Sequence, residues 1–102
     1  MEVKIERWNK KEKPDLEDIE NNYKKNNINY HLFFAFPGPM QPDPAVDYEQ
    51  TKMVVNGTIK FVVEGKEFIL KDGDSITIPK DKEYKFGVVD GYEVVVVTLN
   101  KY

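Results

Sequence analysis

From residue 28 onward the chain is cut into short β-forming runs by turn signals that recur every eight to twelve residues, and this spacing constrains the fold most. Residues 28–36 form an aromatic-rich run. Residues 37–44 hold four prolines in eight positions and read as a rigid loop that cannot join a ladder. Residues 48–55 read as a strand closed by Asn56-Gly57, a strong hairpin signal, with 58–63 as the return strand. Gly65-Lys66, Asp72-Gly73 and Asp90-Gly91 punctuate further strands at 67–70, 75–78, 84–89 and 92–99, with a loop over 79–83. Short strands at this spacing specify an all-β sandwich or barrel.

The first residues differ. Val3 to Trp8 alternate apolar and polar, a strand pattern. Pro14 then opens a helix-like segment, with Asp15, Glu17 and Asp18 in its first turn, where the helix dipole favours acids. Leu16, Ile19 and Tyr23 make one apolar stripe, and Asn26-Asn27 end it. The expected organisation is a strand and short helix over 1–27, packed on a barrel over 28–102.

Composition narrows the function classes. The net charge is −3 with mixed signs, and Arg7 is the only arginine, so a dedicated nucleic-acid surface is not expected. There is no cysteine, which excludes disulfides and thiolate chemistry. The N-terminus has no apolar signal core and no apolar run reaches membrane length, so cytoplasm is the default expectation and no membrane partner is expected.

The stretch 70–79, Leu-Lys-Asp-Gly-Asp-Ser-Ile-Thr-Ile-Pro, followed by Tyr84 and Val88, resembles the second motif of the cupin superfamily: Gly, five residues, Pro, one residue, Gly, two residues, His, three residues, Asn. Gln50, six residues, Gly57 is similar to the end of the first motif, where the family has Glu, six residues, Gly. The resemblance covers residues 38–99. It implies a double-stranded β-helix (a jelly-roll barrel), here with one short N-terminal helix, and a homodimer. It also implies where metal ligands would fall. The family's His-x-His pair lands on Pro44 and Val46, or on Asp43 and Ala45; its third histidine lands on Tyr84 and its glutamate on Gln50. A divalent transition metal needs several converging imidazoles or carboxylates. These positions do not supply them, so no metal or other cofactor is expected.

Strand alternation places candidate site residues. If Gln50 faces inward, so does Lys52; if Tyr84 does, so does Phe86. Lys52 inside a barrel would bind an acid or act as base or imine-forming nucleophile; with the strand shifted by one it would face solvent. Tyr84 is a hydrogen-bond donor or general acid, or it fills the space of a lost metal. Gln50 orients a ligand or bonds Tyr84. His31, the only histidine, shares a face with Phe33 and is a candidate base, or a structural or surface residue. Asp43, Asp47 and Glu49, with His31, could make an atypical metal site, or be solvated. The run 80–85 reads as a solvated loop.

Three functions follow. The first is a binding module holding a small sugar or acid among Gln50, Lys52, Tyr84, Phe86 and His31. The second is a metal-independent acid–base enzyme of isomerase or epimerase type, using His31, Lys52 or Tyr84. The third is a structural homodimer with a collapsed cavity.

Overall fold

In a computed structural model of the chain, residues 3–101 are described; Met1, Glu2 and Tyr102, at the outer ends of the two expected units, lie outside the described residues. Nine strands form two antiparallel sheets. The larger contains β1 (Lys4–Glu6), β7 (Ser75–Ile78), β4 (Glu49–Asn56), β9 (Val94–Lys101) and β2 (His31–Ala35), in that order across the sheet. The smaller contains β3 (Gln41–Asp43), β8 (Tyr84–Val88), β5 (Ile59–Val63) and β6 (Lys66–Leu70). Their inner faces pack together as a jelly roll. Val54, Ile76, Val94 and Val96 of the larger sheet meet Ile59, Phe61, Val63 and Leu70 of the smaller in one buried cluster. Apolar area removed from water along these alternating faces is the main stabilising term.

Helix α1 (Leu16–Lys25) forms where the sequence places it. The Asp15 carboxylate caps it by accepting the Glu17 N–H at 3.0 Å, Glu17 and Asp18 lie in the first turn, and Lys24 and Lys25 in the last. Leu16, Ile19 and Tyr23 are half-buried on its inward stripe.

Two turn readings are corrected. Asn56-Gly57 does not close a hairpin: β4 pairs with β7 and β9, while β5 pairs with β6 and β8 in the other sheet. The pair is a corner at which the chain changes sheets. Gly57 has φ 108°, its N–H donates to Asp72 Oδ1 at 2.7 Å, and a Cβ there would lie 2.8 Å from Val94 Cγ2. Backbone approach, not hairpin geometry, demands this glycine. The two-residue hairpin is instead Glu64-Gly65 between β5 and β6, with φ of 51° and 79°, the left-handed pair that matches strand twist. Likewise, the proline-rich loop does join a ladder. Gln41–Asp43 pairs with β8, because β3 is an edge strand and Pro42 at an edge need not donate a second ladder bond.

The N-terminal strand is fastened by Asp74. Its carboxylate accepts the Trp8 N–H at 2.9 Å, the Lys71 N–H at 3.0 Å and Arg7 Nη1 at 2.9 Å. Burial raises its pKa, but the two N–H groups and the guanidinium outweigh burial and hold the carboxyl below its ordinary value. Trp8 lies over Gly73, where a Cβ would collide with the indole. The Asp-Gly-Asp phrase therefore secures β1 to the edge of the larger sheet.

Candidate functional site

Register decides which side chains share the barrel interior. Lys52 pairs with Ile76 on one side and Thr98 on the other, and Thr98 pairs with His31. Residues paired across strands project to one face, so Ile76, Lys52, Thr98 and His31 form one inward row. The next row toward the barrel end is Ile78, Gln50 and Asn100. Opposite, on the smaller sheet, Asp43, Tyr84 and Val63 form one row and Gln41, Phe86, Phe61 and Phe68 the next.

Lys52 is buried, at 5% exposure. Its Nζ donates to Thr98 Oγ1 at 3.1 Å and lies 5.1 Å from the centre of the Phe33 ring and 5.7 Å from that of Tyr84. These distances are within cation–π range. An ammonium has three donors, and Thr98 takes one. Among the described residues no carboxylate stands within ion-pair distance of it. Burial pulls its pKa down from 10.5 to about 8, and the charge on Asp43 opposes that shift.

The Tyr84 hydroxyl donates to Asp43 Oδ2 at 2.6 Å. Desolvation, then this bond and the carboxylate charge, raise the phenol far above its ordinary pKa, so it remains a proton donor through the alkaline range. Asp43 Oδ1 accepts no hydrogen bond from the described residues. Gln50 Nε2 donates to Asn100 Oδ1 at 3.2 Å, rather than bonding Tyr84. Phe86 meets Phe33 edge-to-face at 5.6 Å and Phe61 at 6.4 Å. These rings pack against one another between the two sheets, next to Lys52.

The rim is built by three loops. The Val46 carbonyl accepts the Asp81 N–H at 2.7 Å, joining the loop after β3 to the loop before β8. Lys82 pairs with Glu64 at 2.9 Å, joining that loop to the β5–β6 turn. Asp81, at the motif's second glycine position, has φ 64°. An open depression of about 890 Å³ lies here, lined in part by Asp43, Ala45, Glu64, Lys82 and Tyr84. A second cleft of about 310 Å³ is lined by Phe33, Phe86 and the 34–39 segment. Lys52 lines neither; it lies buried in the row beside Thr98, with Phe33 and Tyr84 around its Nζ.

Gln50, Lys52, Tyr84 and Phe86 thus occupy one interior. His31 belongs to the same row but sits exposed on the edge strand. The metal alternative through Asp43, Asp47, Glu49 and His31 does not assemble. Asp43 is engaged by Tyr84, Glu49 lies 3.6 Å from Lys101, and no three potential ligands among the described residues converge. The donor set at the family's ligand positions is an amide, a phenol and a single carboxylate beside an ammonium, which does not fit a divalent metal. Sequence reasoning misses Thr98 and Asn100, and places Phe33 only as the neighbour of His31. The period-two pattern Val94, Val96, Thr98, Asn100 carried the signal, since its inward face turns polar toward one end.

On the outer face of β2, Phe34 is 48% exposed, and Phe36 just beyond it 65%. No helix among the described residues is long and apolar enough to cross a membrane.

The family model for the cupin domain matches residues 37–99. No curated protein matches the chain. Among solved structures, a DUF861 family protein of Thermotoga maritima is 21% identical, with a TM-score of 0.65 over 98% of this chain and 100% of that one. The plu4264 protein of Photorhabdus luminescens is 16% identical, with a TM-score of 0.67 over 72% of this chain and 61% of its own. Hydroxypropylphosphonic acid epoxidase of S. wedmorenis is 15% identical, with a TM-score of 0.64 over 71% and 42%. The chain therefore spans less than two thirds of these last two proteins. At such identities the likeness is one of fold.

Proposed function

The chain belongs to the cupin family, and we propose that its barrel binds a small organic acid at the rim, with the Lys52 ammonium in place of a metal as the recognising cation. The observation that supports this most is the buried Lys52 Nζ, which has one hydrogen-bond acceptor, Thr98, and no ion-pair partner among the described residues. A buried charge without a counter-charge costs stability, which marks such a group as a candidate for binding a ligand of opposite charge. The ligand's carboxylate would accept from Nζ. A hydroxyl on the same molecule would donate to Asp43 Oδ1, whose orientation the Tyr84 phenol holds. Complementarity to both groups favours a hydroxy acid, including a sugar acid, over a neutral sugar. A cytoplasmic location accords with this reading.

The lowered pKa of Lys52 supports a second reading, acid–base catalysis on the same ligand with Lys52 as base; the raised Tyr84 phenol serves that reading as a hydrogen-bond donor rather than as a strong acid.

Titration calorimetry with a panel of small carboxylates and their neutral alcohol counterparts tests the proposal. It expects saturable binding of hydroxy acids by the native chain and loss of it in Lys52→Met. Equal binding of the neutral counterparts, or binding unchanged by Lys52→Met, would overturn it.

A further inference from the structure

Resting on the proposed binding of organic acids, we infer that Lys52 is an imine-forming nucleophile, and that the acids it takes include 2-oxo acids, which it captures covalently through their carbonyl carbon. Three structural facts carry this. Among the described residues Lys52 is the only buried lysine, and every other lysine is half-buried or exposed. Its immediate surroundings are rings, Phe33 and Tyr84, together with the single neutral acceptor Thr98. That environment does not stabilise an ammonium as a carboxylate would, and burial brings a useful fraction of neutral amine to ordinary pH. Finally, the Asp43 carboxyl lies across the barrel, hydrogen-bonded to Tyr84 through Oδ2, with Oδ1 open as an acceptor for the proton that the nitrogen must shed.

The step balances without any further reactant. The neutral amine attacks the carbonyl carbon; a C–N bond forms and the C=O electron pair moves to oxygen, which takes up a proton. The resulting carbinolamine loses its hydroxyl with a second proton as water, leaving a C=N bond. Counted from the ammonium, the products are a protonated imine and one water. The protonated imine keeps the positive charge beside the ligand's own carboxylate, so capture preserves the electrostatic recognition. Thr98 Oγ1 fixes one N–H and so holds the nitrogen in place. His31 is exposed in the same row, Tyr48 is half-buried two residues before Gln50, and the rim adds Asp81, Glu64 and Lys82.

The test uses the full chain with pyruvate and glyoxylate as probes, trapped by sodium cyanoborohydride and read by peptide mass spectrometry. One adduct per chain, on Lys52, forming at least about tenfold faster than on any other lysine, supports the inference. Lys52→Arg, which keeps the charge but cannot form the imine, should lose that adduct while its circular dichroism stays native. Adducts spread over the exposed lysines with no preference for Lys52 overturn it. Lactate, which has no carbonyl, separates the two claims: if it binds by calorimetry while pyruvate is not trapped on Lys52, the imine fails and the binding site stands. If neither binds nor traps, both fail.

Discussion

Lys52→Met should make the protein more stable at neutral pH. A displacement of its pKa from 10.5 to about 8 means that keeping the ammonium in the folded barrel costs about 3 kcal/mol relative to the unfolded chain. Methionine has similar length and no charge. It forfeits the bond to Thr98, worth about 1 kcal/mol, so the net gain is about 2 kcal/mol. For a domain of this size that corresponds to a rise in Tm of roughly 10 °C. The sign with pH follows from linkage. Below about 8 Lys52 is charged in both states and the cost is present in full. As pH rises toward 10.5 the folded state gives up its proton first, the unfolded chain still binds it, and the cost disappears. The stability difference between Lys52→Met and native protein should therefore fall from about 2 kcal/mol in favour of the variant at pH 7 to about 1 kcal/mol in favour of the native protein at pH 11. Urea denaturation of both proteins across that range measures it. A variant less stable than native at pH 7, with a difference that does not change with pH, would show that the lysine is well paired and refute the reasoning.

Two further outcomes follow. Tyr84→Phe removes the 2.6 Å bond to Asp43 and frees that carboxylate to rotate; hydroxy-acid affinity measured by calorimetry should fall roughly tenfold, about 1.4 kcal/mol, with native fold retained. Asp74→Ala leaves the Trp8 and Lys71 N–H groups and Arg7 without their acceptor and should cost about 2–4 kcal/mol, with faster amide exchange at Trp8. Because the Asp74 carboxyl is held below 3.8, its contribution is intact above that pH and lost as acid carries the folded state through its lowered pKa, so the variant and native protein should converge in acid.

The interior set Gln50, Lys52, Tyr84 and Phe86 was legible because motif spacing fixes phase, and period-two alternation carries phase along a strand. What was illegible depends on which strand lies beside which. Asn56-Gly57 has the composition of a hairpin, yet nothing local to it reports that β5 leaves for the other sheet. Pro42 forbids a central strand but permits an edge one, and edge position is a property of the whole sheet. The Tyr84–Asp43 bond spans 41 residues and exists only because β3 pairs with β8. From sequence alone Asp43 therefore reads as a stray metal ligand rather than as the phenol's partner. The aromatic packing next to Lys52 likewise needs both sheets, since Phe33 comes from one and Phe61 and Phe86 from the other.

The central claim is that a lysine rather than a metal is the cation of this barrel. Elemental analysis of untagged protein, purified without chelator and then incubated with manganese, iron, nickel and zinc before desalting, tests it most directly. The account predicts far less than one metal ion per chain, in Lys52→Met as well as in the native protein. One tightly held ion per chain, lost on substitution of Asp43 or Tyr84, would contradict it.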